Sequence, residues 1–188
     1  GASYLSVLLG DPDDLYVLAS DAGYGFIVAL KELYTRQKAG KVILTLPEQA
    51  RVLPPVAVKN PDTDRLAVAS STGRLLLFPL QALPNLPKGK GYKLIGIPAD
   101  QAATRQEVVA VLAVQPAGQP LIVTCGQRQL TLKPADVAHY TGQRGQRGGK
   151  LPRGFQRVER LGVTPSELPA YKSPVSDPEL PPLLVGGE

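Results

Sequence analysis

One unit returns three times along this 188-residue chain, at intervals of 50–53 residues. Gly23 lines up with Gly73 at a step of 50, Leu46-Pro47 with Ile97-Pro98 at a step of 51, and Gly126 follows Gly73 by 53. Each copy carries a tight glycine-containing turn, and a short uncharged run lies beside it: IVAL at 27–30, LLLF at 75–78, LIVT at 121–124. A period of this length in short strands is the signature of propeller-like blades. A single blade cannot bury both faces of its sheet, so neighbours must stack, and these uncharged runs are expected to pack between them. Nineteen Gly and nineteen Pro punctuate the runs, which favours an all-β chain rich in turns.

A basic, glycine-bearing loop recurs at one place in each copy. The first is RQKAGKVILTLP (36–47), with Arg36, Lys38 and Lys41; the second is PKGKGYKLIGIP (87–98), with Lys88, Lys90 and Lys93. The third, GQRGQRGGKLPRG (142–154), carries Arg144, Arg147, Lys150 and Arg153, one cation every third residue with no acid, and Arg157 follows. Its five glycines and Pro152 rule out a stable helix. In an extended chain a three-residue step separates neighbouring cations by roughly 10 Å. Such a loop suits a run of phosphates better than a single small ligand, and its cations are expected to stand exposed. Because the loop holds a fixed position in the repeat, all copies should fall on one rim and form one curved positive track.

The charge distribution agrees. Residues 84–157 hold eleven Lys/Arg against Asp100, Glu107 and Asp136, a local +8 in a chain whose net charge is +5. Concentrated positive charge beside a mildly acidic remainder is the footprint of a polyanion-binding face.

In chain order, Tyr4–Leu9 and Leu15–Ser20 are expected to pair as a hairpin across the turn Gly10–Asp14. Further strands are expected at Val56–Val58, Leu66–Ser70, Val108–Val114 and Phe155–Leu161, and helix only in short turns near Leu30–Thr35 and Pro134–Tyr140. Residues 1–163 then form one domain. Residues 164–188, with Pro165, Pro169, Pro174, Pro178, Pro181 and Pro182, read as an extended or disordered tail.

Catalytic chemistry finds little support. His139 is the only histidine and Cys125 the only cysteine; the latter excludes an internal disulfide and fits a reducing cytoplasm. Cys125 reads as a small buried hydrophobe at the end of its strand. Asp11, Asp13, Asp14, Asp62 and Asp64 flank prolines in turns and lack the remaining positions of a calcium loop. Lys41, Lys90 and Lys150 are followed by Val42, Gly91 and Leu151, where a nucleotide-binding P-loop needs Ser or Thr. Only Tyr92 and Phe155 lie near the basic loops, too few for a platform that stacks single-stranded bases. The cations therefore read as phosphate contacts, which position DNA without reading its sequence.

Four segments resemble the C-terminal domains of ParC, the A subunit of topoisomerase IV, and of its gyrase paralogue: ASDAGYGF (19–26), AGKVILTLPE (39–48), LFPLQALPNLPKGKGYKLIGIP (77–98) and TGQRGQRGGKLPRGFQRVER (141–160). The resemblance implies a β-pinwheel, a propeller-like fold whose blades exchange strands and whose rim bends duplex DNA; about three blades in an open arc are expected here. Gln146-Arg147-Gly148-Gly149-Lys150 looks like a degenerate form of the gyrase box QRRGGKG, with Leu151 where the last glycine would stand, which favours topoisomerase IV. The DNA-binding residues so expected are Lys38, Lys41, Lys88, Lys90, Lys93, Arg144, Arg147, Lys150, Arg153 and Arg157. The resemblance further implies an accessory domain with no catalytic residue and no cofactor of its own, ATP and Mg2+ being used elsewhere in the full enzyme. Its implied role is to direct decatenation and supercoil relaxation. Its implied partners are duplex DNA, the remainder of ParC, the ATPase half of topoisomerase IV and bacterial condensin. Its implied location is the bacterial cytoplasm, associated with the nucleoid and not with a membrane. The competing reading is a propeller-type adaptor whose basic rim binds an acidic protein.

Overall fold

The computed structural model describes residues 5–163; the expected proline-rich tail, 164–188, lies outside the described residues. Three sheets follow one another, each built on an antiparallel hairpin. In the first blade β1 (Leu15–Ser20) pairs with β2 (Tyr24–Ala29), and β3 (Val56–Val58) adds to the other edge of β1. In the second, β4 (Arg65–Ser70) pairs with β5 (Arg74–Pro79). The far edge of β2 is completed by β6 (Tyr92–Lys93), which follows the second hairpin in sequence. The second blade adds β7 (Val109–Gln115) beside β4. The third holds β8 (Leu121–Cys125), β9 (Arg128–Leu132) and β11 (Arg160–Gly162), and it sends β10 (Gly149–Lys150) back to the edge of β5. The second and third blades thus each lend a strand to the one before. Helix is confined to α1 (Ala99–Ala103), α2 (Pro134–Ala138) and two single 3-10 turns, 30–33 and 80–82, among the described residues.

The apolar runs pack as a two-residue period dictates. Along β5, Leu76 and Phe78 face the first blade, beside Val17, Ile27 and Val68. Leu75 and Leu77 face the third, beside Leu121, Val123 and Val158. A strand buried on both faces reads as a continuous apolar run rather than an alternation, which is why LLLF carries no polar residue. The outer face of the first blade collects Tyr16, Leu18, Phe26 and Val28 with Ile43 and Leu44 against them.

Two expectations are corrected. The expected pairing of Tyr4–Leu9 with Leu15–Ser20 is absent from its described part: residues 5–9 form no strand, and Leu5, Val7 and Leu9 stand 55%, 77% and 84% exposed, while Tyr4 lies outside the described residues. Both edges of β1 are already taken, by β2 and β3, so an earlier segment has no edge to join. In place of Phe155–Leu161 the strand is only Arg160–Gly162; Phe155 is partly buried against the core of the third blade, outside any strand.

β7 packs against β3 on one side and β11 on the other, so the three strands converge along one inner line. A cavity of about 450 Å³ opens there, lined by Val56, Leu112, Val114, Leu161 and Val163 among others. The lent strands β6 and β10 occupy the opposite edges, β2 and β5. The basic segments therefore run along the outer perimeter.

Candidate nucleic-acid interface

Each of the two later basic segments is a strap fastened at two places along the outer strand of the preceding blade. In the first blade Ile27 N–H donates to the Pro84 carbonyl at 3.0 Å and Leu86 N–H to the Ile27 carbonyl at 2.9 Å; further on, Leu94 N–H donates to the Gly23 carbonyl at 2.7 Å. The second blade repeats this arrangement. Leu77 N–H reaches the Tyr140 carbonyl at 2.8 Å, Gly142 N–H the Leu77 carbonyl at 2.9 Å, and Leu151 N–H the Gly73 carbonyl at 2.8 Å. Between the fastenings lie Lys88 and Lys90 in one strap and Arg144 and Arg147 in the other. Gly91 (φ 83°) and Gly148 (φ 76°) let each strap turn back onto the hairpin. A Cβ on Gly148 would lie 2.7 Å from the Leu75 carbonyl oxygen, so the backbone must be bare there.

The basic segments are also joined to one another. Gly89 N–H donates to the Ile43 carbonyl at 2.8 Å and Thr45 N–H to the Gly89 carbonyl at 2.9 Å. The next junction copies this one: Gly145 N–H to the Leu94 carbonyl at 3.0 Å and Gly96 N–H to the Gln146 carbonyl at 2.7 Å. Segments 43–45, 89–96 and 145–146 thus form one continuous backbone seam along the perimeter.

The cations of these segments do different things. Lys38, Lys41, Lys88, Lys90, Lys150, Arg153 and Arg157 are exposed, and Lys93 is half-buried. Lys41 Nζ donates to the Glu32 carbonyl at 2.7 Å, and Lys90 Nζ sits 4.0 Å from the centroid of the Tyr24 ring. Arg144 and Arg147 are not the exposed loop charges that the sequence suggests. Arg144 Nε donates to the Ala82 carbonyl and a terminal nitrogen to the Lys93 carbonyl, both at 2.8 Å, while its guanidinium lies 5.3 Å from the Tyr92 ring. It staples its own strap to the one before it. Arg147 is committed further, to the fully buried Glu107.

Glu107 precedes β7 and receives four donated bonds: Ser70 Oγ at 2.7 Å, Thr72 Oγ1 at 2.6 Å, and a two-pronged fork from Arg147 at 2.7 and 2.5 Å. Burial pushes the carboxyl upward, but the hydrogen bonds from Arg147, Thr72 and Ser70 and the Arg147 charge outweigh it. They hold its pKa at about 2, against an ordinary 4.5. The first blade has a related latch: Arg105 donates to Asp21 at 2.7 Å and to the Gln49 carbonyl at 2.8 Å, with Asp21 also accepting the Arg51 N–H at 2.8 Å. Among the described residues the only other ion pair is the exposed Lys31–Asp13 contact.

Among the described residues no three His, Cys, Asp or Glu side chains come together to hold a metal ion. Burial, and secondarily the charge of Glu159, raises the Cys125 thiol above its ordinary value, the wrong direction for a nucleophile. No helix among the described residues is long and apolar enough to cross a membrane.

A strand-lending, open arc of blades is the β-pinwheel fold, shared with the solved C-terminal domains of ParC and gyrase A. The solved C-terminal domain of ParC from E. coli superposes with a TM-score of 0.76 at 42% identity, covering 82% of this chain and 62% of that one. The DNA gyrase A C-terminal domain shares the fold alone, with a TM-score of 0.62 at 14% identity over 82% of this chain and 50% of that one. Sequence relatives narrow the assignment. The A subunit of DNA topoisomerase 4 from Pseudomonas aeruginosa is 52% identical over 163 residues, 87% of this chain and 22% of the relative. Its counterpart from Escherichia coli K12 is 41% identical over 163 residues, 87% of this chain and 21% of the relative. The chain belongs to the ParC family of topoisomerase IV, in its C-terminal β-pinwheel region. It spans about a fifth of the length of these relatives. No protein-family model matches the chain.

Proposed function

We propose that this chain holds and bends duplex DNA along its perimeter without reading base sequence, as an accessory region of topoisomerase IV. In that role it presents DNA for the decatenation and supercoil relaxation carried out by the rest of ParC and the ATPase half of the enzyme. The observation that supports this reading is the backbone seam joining the three basic segments, from which their exposed cations are expected to follow one perimeter. Lys88, Lys90 and Lys93 in the second segment, and Lys150, Arg153 and Arg157 in and after the third, are the expected phosphate contacts, with Lys38 and Lys41 continuing the line. Arg144 and Arg147 are assigned to building the track, since their donors are engaged within the protein. A curved line of phosphate contacts bends what it binds, because a stiff duplex reaches successive cations only by following them.

The test is binding of random-sequence duplexes across a salt series, with fluorophores at both duplex ends to report bending. Affinity should fall steeply with salt, by a log–log slope of about −0.9 for each phosphate contact. Random duplexes should bind within a few-fold of one another, and their ends should approach. A shallow slope with tight binding to an acidic protein would replace this reading with that of an adaptor.

A further inference from the structure

We propose that Arg74 and Arg128 form a second row of phosphate contacts, one in each of the last two blades, placed behind the straps at the heads of the outer strands. This inference rests on the perimeter being the DNA-binding face.

The two arginines hold the same structural position. Each is the first residue of the strand that follows its hairpin turn: Arg74 opens β5 after the second turn, and Arg128 opens β9, facing Cys125 across the third. The first blade has Tyr24 there, with Lys90 over its ring, so that blade fills the position with a strap cation instead. Neither arginine belongs to a basic loop, which hides both from a search for charge runs.

Each arginine is set beside a cation from the third strap or its continuation. Arg74 lies directly opposite Lys150 in the β5–β10 ladder. Like charges directly opposite in an antiparallel pair repel, their Cβ atoms being about 5 Å apart. Among the described residues no acid forms an ion pair with either arginine. The buried acid Glu107 is occupied by Arg147, Ser70 and Thr72. Arg74 is fixed by one donated bond to the Gly148 carbonyl at 3.0 Å, which leaves the rest of its fork of donors for an anion. In the third blade, Arg128 and Arg157 line one open cavity of about 340 Å³ with the bare backbones of Gly126 and Gly154; Cys125, Gln127 and Glu159 complete its wall. That space is large enough to take a phosphate group beside the two arginines. At Arg74 an anion removes the repulsion of the opposed Lys150, and at Arg128 it would join two cations whose cavity holds the single acid Glu159.

The experiment compares salt dependence of duplex binding for the full chain and three variants: Arg74→Gln/Arg128→Gln, Lys88→Gln/Lys90→Gln, and the control Arg65→Gln. Arg65 starts β4, at the far end of the strand from the turn, so it stands roughly 17 Å from the turn end where Arg74 lies, along an extended backbone of about 3.3 Å per residue. The double arginine variant should lower the log–log slope by about two, with a matching loss of affinity, while the control leaves both unchanged. An unchanged slope in a double variant that melts like the parent chain overturns the second row; the strap variant then still reports on the perimeter itself. If neither the strap variant nor the arginine variant alters a slope that is already shallow, the DNA reading and this inference fall together. Should loss of the Gly148 bond loosen the fold, Arg74→Lys restores charge without the fork and should regain the slope. Arg128→Gln alone, at an exposed position, should still lower it by about one, and an unchanged value there also refutes the proposal.

Discussion

Replacing Glu107 by glutamine isolates the latch between the third strap and the second blade. The folded-state pKa of about 2, against an ordinary 4.5, corresponds to about 3 kcal/mol at roughly 1.4 kcal/mol per unit. The sign follows from the direction of the shift. A carboxyl that binds its proton less readily when folded stabilises the fold fully above its unfolded pKa, and that contribution drains away as pH falls through 4.5 toward 2. Breaking a buried pair from one side costs about 3–5 kcal/mol, because the remaining charge loses its partner. Here the Arg147 side chain is 36% exposed and can turn toward water, which places Glu107→Gln near the lower end of that range. For a domain of this size a loss of about 3 kcal/mol lowers the melting temperature by roughly 6–12 °C. Urea unfolding at pH 7 should show the full gap between wild type and Glu107→Gln, and at pH 3 less than about half of it. The double variant Glu107→Gln/Arg147→Ala should fall short of the sum of the two single losses. Equal stability at pH 7, or a gap that persists unchanged at pH 3, would refute the assignment of Glu107 as an ionised, buried anchor.

Other outcomes follow from the same geometry. Leu77→Ala, at a fully buried position between the second and third blades, should cost about 2–5 kcal/mol in chemical denaturation. Gly148→Ala should destabilise well beyond Gly40→Ala: both have positive φ, but a Cβ at Gly40 meets nothing within 4 Å, leaving only the backbone strain of about 1–2 kcal/mol. Lys150→Ala/Arg153→Ala/Arg157→Ala should reduce the salt slope of duplex binding by about one unit per lost contact, and should weaken affinity more than Lys88→Ala/Lys90→Ala/Lys93→Ala. Cys125 should react with iodoacetamide more slowly at pH 8 than a free cysteine, measured by mass spectrometry, since its thiol is held protonated.

Much of this architecture can be read from the chain because its determinants are local. Glycine turns, uninterrupted runs such as LLLF, and the spacing of one copy to the next are all short-range patterns, and they place the hairpins of all three blades. The failures lie where a residue's partner is distant in sequence. Tyr4–Leu9 has the composition of a strand, yet β1 has no free edge, because β3 arrives from 36 residues beyond the end of the hairpin's first strand to take it. Arg147 and Arg144 sit in a run that looks uniformly exposed, but Glu107 lies 40 residues away and the Ala82 carbonyl 62 residues away. Arg74 and Arg128 escape notice for the converse reason, as each stands at the head of a strand, outside the basic runs.

Strand exchange explains why the residues that bind the fold together and those that face outward share one segment. A strap that completes the preceding blade must present main-chain donors and acceptors to that blade and small residues where it crosses the hairpin. Glycine meets both needs at Gly91 and Gly148. Between the fastenings the side chains of a strap meet solvent, a neighbouring strap, or a group of the blade within reach, such as the Tyr24 ring under Lys90 and the Glu107 carboxylate under Arg147. Cations in that interval therefore divide by reach. A long, forked arginine can fold back to a carbonyl or carboxylate, as Arg144 and Arg147 do, and so fixes the path of the strap. Lys88 and Lys150, and the later arginines Arg153 and Arg157, remain outward. Neutralising an anchoring arginine should then change stability and DNA binding together, whereas neutralising an outward cation should change binding alone. Measuring both quantities on Arg147→Ala and Lys150→Ala separates the two roles, and a Lys150→Ala chain that unfolds as easily as Arg147→Ala would contradict the division.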